Sequence, residues 1–121
     1  MRELSRRDGD LRSFLATIEV ADVPDEVMDK ARWCLIDLVA TAVAGSTTPL
    51  AGILGRYVAD FHGVGGNGGP TCRPMIGGSF VNPVGAALLG GMVIDSMDAH
   101  DGHSLTKGHV GCAVLPSLLA V

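Results

Sequence analysis

Aromatic side chains are scarce, at 4% of 121 residues, and charged ones, at 18%, fall below the roughly 25% of an average globular chain. Hydrophobic residues make up 47% and mean hydropathy is +0.35, so the shortage of charge does not reflect a solvated, disordered chain. Few rings and 17 glycines leave Ala, Val, Leu and Gly to build the core, a composition suited to helices that approach closely. Basic residues are outnumbered, 9 Lys and Arg against 13 Asp and Glu, for a formal charge of −4. Without a basic stripe, nucleic acid is not an expected partner. No apolar run reaches the ~18–20 residues that cross a bilayer. The longest, 83–94 and 110–121, read as segments packed inside protein, so no membrane is expected either.

Other absences narrow the reading further. Arg2, Arg6, Arg7 and Arg12 are interspersed with Glu3, Asp8 and Asp10, and no apolar stretch follows them as a secretory signal would need. They read as a solvated leader. Cys34, Cys72 and Cys112 are odd in number and form no C-x-x-C pair, which suits reduced thiols in a cytoplasmic protein. Gly63, Gly65 and Gly68 spell G-x-G-x-x-G, but a helical pattern precedes them and Gly69-Pro70 follows. A dinucleotide fingerprint needs the reverse order, strand before and helix after, so this reads as a surface loop. No G-x-x-x-x-G-K-[ST] is present, which excludes P-loop chemistry.

What is there is mostly helical pattern, and the length fits one domain. Leu11, Phe14, Leu15 and Ile18 recur at i, i+3, i+4, i+7 and predict a short amphipathic helix over 9–19. Pro24 restarts the chain, and the apolar spacing from Val27 to Ala42 predicts a central helix over Asp22–Ala44 with Gly45 as its stop. Asp37 inside it reads as a hydrogen-bonded core or helix-contact group. A third helix spans Pro49–Phe61, with His62 at its carbonyl end. Thr71–Ile76 is the one candidate extended segment. Asn82 as cap and Pro83 in the first turn open a second central helix through Ile94, with small residues from Gly85 to Gly91 as a packing surface. A last apolar helix begins near Gly111, includes Pro116 and is still running at Val121. The expected fold is all-α, a multi-helix bundle with at most one short extended segment. The unfinished last helix is expected to continue in a longer natural protein.

Chemistry concentrates in one place. Asp95 to His109 holds three of the four histidines, three aspartates and Lys107 within fifteen residues, between two strongly apolar segments. Histidine passes protons near neutral pH, a nearby aspartate fixes its tautomer or holds the imidazolium, and Lys107 can pair with a substrate carboxylate. Spacing alone leaves three readings open. One is an acid/base site for a carboxylate-bearing substrate; the second is a polar interhelical loop of turns and caps. The third is a metal site drawn from Asp98, His100, His103 and His109, although their spacing matches no strong ligand signature. Cys34 and Cys112 read as packing residues.

Three blocks carry a resemblance to a known family. Leu35-Ile-Asp37-Leu-Val-Ala-Thr-Ala-Val-Ala-Gly45-Ser46 resembles the early "LLD-x-L-G…LAGS" helix of the MmgE/PrpD family. Pro83 to Asp98 is similar to its "AALLNG…HSLDFDD" segment, and His109-Val-Gly-Cys-Ala-Val-Leu-Pro116 to its "H-x-G-x-x-V-L-P" run. The family includes 2-methylcitrate dehydratase, cis-aconitate decarboxylase and iminodisuccinate epimerase. The resemblance implies a single partial helical domain over residues 1–121, with the lid domain and carboxy-terminal part absent, from a cytoplasmic homodimer. It implies a lyase that takes a small di- or tricarboxylate, moves a proton next to a carboxylate, and uses neither metal nor organic cofactor. Asp98 falls on the family's first aspartate, Asp101 near the second of its pair and His109 on its histidine, which makes these the catalytic candidates. Lys107, His103 and Thr106, in the loop between, are the substrate-binding candidates. An epimerase is the alternative within the family; a non-catalytic helical remnant or dimerisation module is the alternative outside it. The 121 residues alone are expected to be inactive.

Overall fold

The structure is a computed structural model, and it describes residues 11–64, 69–105 and 107–121. Arg2, Arg6 and Arg7 of the leader, Gly65 and Gly68 of the glycine loop, and Thr106 lie outside the described residues. The order is helix α1 (Leu11–Thr17), a 3-10 turn at Val20–Asp22, α2 (Asp25–Gly45), α3 (Pro49–His62), α4 (Pro83–Asp95), strands β1 (Gly102–His103) and β2 (Gly108–His109), and α5 (Gly111–Leu119). The all-α expectation holds, with helix ends within a few residues of those predicted. No single helix among the described residues is long and apolar enough to cross a membrane.

The chain divides after Arg32 into two compact units. The first, reaching from the amino terminus, has α1, the 3-10 turn and the first turns of α2. Leu11, Phe14, Leu15 and Ile18 are exposed there. The Glu19 backbone N–H donates to the Asp22 carboxylate at 3.2 Å, closing the turn before α2. An exposed Arg32–Asp29 pair, 2.6 Å long, lies one turn apart on α2; a pair so open to water contributes little stability.

The second unit holds the core. In the later turns of α2, Leu38, Thr41, Ala42 and Gly45 are buried, the i, i+3, i+4, i+7 stripe of a helix with one face inward. Leu38 and Ala42 pack with Ile94 of α4, beside Met75, Ile76, Cys112 and Leu115. A second cluster joins Leu54 and Val58 of α3 to Ala86, Leu89 and Val93 of α4, together with Val81 and Ala120. Helix α4 therefore buries residues on more than one side, which is why it is apolar nearly all round. Its predicted start is borne out: Asn82 Oδ1 accepts from the Gly85 N–H at 2.8 Å, and Pro83 takes the first position. Thr48 caps α3 in the same way through Ala51 N–H, and His62 ends that helix as predicted.

Two glycines set helix spacing. A Cβ on Gly90 would stand 2.7 Å from Pro116 Cβ, so α4 and α5 meet where only a hydrogen fits. A Cβ on Gly45 would collide with the Val93 carbonyl oxygen, so the predicted helix stop is also a close-approach point.

Two expectations need correction. Asp37 is exposed on α2 rather than in the core; the helix turns its buried stripe through Leu38 and Thr41, which carries the adjacent position outward. Thr71–Ile76 forms no strand. Its ordered pairing is one isolated bridge, Cys72 with Val81, closed by hydrogen bonds of 3.0 and 3.1 Å. Pro70 and Pro74 lack the N–H that a longer ladder would need. The extended structure lies instead inside the polar segment, as the antiparallel pair β1–β2.

Candidate active site

The site is built where α4 ends and α5 begins. Helix α4 finishes at Asp95, and the Ser96 hydroxyl turns back to donate to the Val93 carbonyl at 2.7 Å. Asp98 follows with φ of +47°, a left-handed conformation that aspartate tolerates better than bulky residues. Strands β1 and β2 pair Gly102 with His109 and His103 with Gly108. Lys107, also left-handed at φ +56°, closes the hairpin by donating its N–H to the His103 carbonyl at 2.9 Å. Gly102 lets the His109 ring lie over the opposite strand: a Cβ there would sit 3.0 Å from His109 Cε1.

Three carboxylates and two imidazoles converge around this hairpin. His109 Nε2 lies 4.0 Å from Asp98 Oδ1; the histidine side chain is 34% exposed and the aspartate 92%. The separation exceeds a hydrogen bond. His100 is fully buried, with its ring centroid 4.2 Å from that of His109 and its Nε2 3.5 Å from Asp95 Oδ1. Asp101 Oδ2 accepts from the Gly111 N–H at 2.9 Å, placing a negative charge at the amino end of α5, where the helix dipole favours it. Cys112 Sγ donates to the His109 carbonyl at 3.1 Å. Partial burial, then the charges of Asp95 and Asp101, push the Cys112 thiol above its ordinary pKa of 9.0. Both ring nitrogens of His100, His109 Nδ1 and Asp101 Oδ1 are buried without a hydrogen-bond partner among the described residues.

The expected site residues therefore separate. Asp98 and His109 come together. Asp101 is beside them, but its defined contact is to the α5 backbone. His103 and Lys107 are exposed on the hairpin. Thr106 lies outside the described residues. The ligand set weighed from spacing is not the one that converges. Among the described residues, the converging group is Asp95, His100 and Cys112, whose ligand atoms lie within 4.8 Å of one another. The sequence reads Asp95 only as part of the polar segment and Cys112 as a packing residue, because ten residues of loop and hairpin separate His100 from the helix that returns the thiol. The density of histidines was their only signal.

The family model for the MmgE/PrpD N-terminal domain matches residues 9–121. The chain belongs to the MmgE/PrpD family. This MmgE/PrpD chain is 25% identical over 111 residues to the cis-aconitate decarboxylase-like protein oryM of Aspergillus oryzae, covering 92% of the chain and 22% of that protein. It is 27% identical over 107 residues to a cis-aconitate decarboxylase of Aspergillus terreus, covering 88% of the chain and 21% of that enzyme. It thus spans about a fifth of the length of the curated relatives it matches. No solved structure matches it.

Proposed function

We propose that this chain is the amino-terminal part of a cofactor-independent lyase, a dehydratase or decarboxylase, acting on a small di- or tricarboxylate such as 2-methylcitrate or cis-aconitate. The observation that carries the reading is the His109–Asp98 pair, 4.0 Å apart beside the amino end of α5, in a chain of this family. His109 is the proton-transfer group, and Asp98 orients it or a substrate hydroxyl. In an elimination the imidazole takes the proton from the carbon beside a carboxylate, the C–O bond of the neighbouring carbon breaks as the double bond forms, and the imidazolium gives its proton to the departing hydroxyl, which leaves as water. In a decarboxylation the imidazolium returns a proton to the carbon that has lost carbon dioxide. Lys107, at the exposed hairpin tip, holds a substrate carboxylate, with His103 and Thr106 in the same segment. A family epimerase would use the same groups, taking and returning a single proton.

The enzyme is proposed to be a cytoplasmic homodimer. The three unpaired cysteines support a reducing compartment, and Trp33, Ile36 and Val43, all exposed on α2, support association. They equally favour a second reading, in which the 121 residues serve as a dimerisation module without activity. The test is His109→Gln in the complete enzyme. Turnover is expected to fall by ~10²–10⁴-fold with folding unchanged, the range for a lost general acid or base. Normal turnover would reduce His109 to a loop-packing residue.

A further inference from the structure

We infer that Asp95, His100 and Cys112 form a binding site for one divalent cation of the zinc class, beside the His109–Asp98 pair and separate from it. The inference does not rest on the acid/base reading. Each residue offers one ligand atom, and the three atoms lie within 4.8 Å of one another. Zinc bonds of about 2.0–2.3 Å set tetrahedral ligands roughly 3–4 Å apart, so modest side-chain movement closes the set. The second observation is His100. Its side chain is fully buried, yet neither ring nitrogen has a hydrogen-bond partner among the described residues, and burying a polar atom in that state is unfavourable. Its Nε2 points toward Asp95, 3.5 Å away, and a cation between the two would satisfy both.

The donor set selects the metal. One thiolate, one imidazole and one carboxylate suit a borderline-soft ion, whereas magnesium and calcium demand oxygen ligands. The local charge also favours a cation. Asp101, whose Oδ2 accepts from the Gly111 N–H next to Cys112, adds a second carboxylate to that of Asp95. On binding, the Cys112 S–H bond breaks, an S–metal bond forms, and the proton leaves to solvent. The thiol's hydrogen bond to the His109 carbonyl is given up in exchange. Asp95 is the last residue of α4 and Cys112 the second of α5, so the ion would tie together the ends of two packed helices. Three protein ligands leave a fourth position for water.

The test is titration of the full chain with Co(II), followed by Zn(II). The expected result is one cobalt per chain with a thiolate-to-cobalt charge-transfer absorption, displaced by zinc. Cys112→Ser should abolish the absorption, and His100→Gln should weaken zinc binding by ~10-fold or more. Asp95→Asn should weaken it too, and its exposed position keeps the test readable if Cys112→Ser fails to fold. Cys34→Ser and Cys72→Ser should bind as the parent does, as should His109→Gln. Circular dichroism matching the parent separates lost binding from lost fold. No metal uptake, or a charge-transfer absorption that survives Cys112→Ser, would overturn the site. Equal loss in His109→Gln would overturn its separateness.

Discussion

At the scale of single residues, Asp101 and Cys112 each perform work that their sequence positions concealed. The family resemblance puts Asp101 near the second aspartate of the pair expected to be catalytic, while in the structure its carboxylate receives the first N–H of α5. A hydrogen bond to a charged group is worth about 1.5–3 kcal/mol, so Asp101→Ala should lower the thermal midpoint by several degrees. An unchanged midpoint in a melting experiment would remove that structural role. Cys112 leads to a pH prediction. Its folded-state pKa is raised above 9.0, so the unfolded chain loses this proton first as pH climbs. The contribution to stability is complete below 9.0 and is lost as pH rises through the folded value. Alkylation of Cys112 in the folded chain should therefore lag that in urea-unfolded chain at pH 8, and the lag should shrink as pH rises. Equal rates throughout would show that burial and the two aspartates leave the thiol untouched.

Elements are positioned by small residues at crossings, and the sign of a glycine substitution depends on which crossing it meets. Gly90→Ala would set its Cβ 2.7 Å from Pro116, and overpacking of this kind costs about 1–3 kcal/mol. That outweighs the gain of ~1 kcal/mol from replacing glycine within a helix. Gly55 in α3 meets nothing within 4 Å, so there the helix-propensity gain stands alone. Gly90→Ala should therefore destabilise and Gly55→Ala stabilise in denaturant unfolding; the same sign for both would contradict the packing described. The cap at Asn82 was legible beforehand, because a side-chain oxygen before a first-turn proline is a local signal. The two-residue strands were not. Gly102 and Gly108 are separated by a polar turn with no apolar alternation, and their pairing depends on where α4 ends and α5 starts.

At the scale of the whole molecule, apolar surface is the dominant feature. Trp33 is 68% exposed, and Ile36, Val39 and Val43 lie open on α2, as do Leu118 and Leu119 on α5. Monomers rarely expose contiguous apolar patches beyond a few hundred Å². Sedimentation of the full chain should show association that grows with concentration, and Trp33→Asp with Ile36→Asp should weaken it. A clean monomer at every concentration would rule this out.

The sequence by itself determined the helices, their starts and the segment that bears the chemistry. Helix periodicity, caps and first-turn prolines act over a few residues, and a dense polar stretch between apolar ones has nowhere to go but a helix junction. Tertiary structure alone decided which polar side chains meet. The crossing of α4 and α5 at Gly90 returns Cys112 to Asp95 and His100, and the hairpin lays His109 over Gly102 beside Asp98. It also sent Asp37 outward and drew Asp101 onto a helix end. Such placements depend on the angle and distance between elements, which no local run of residues encodes.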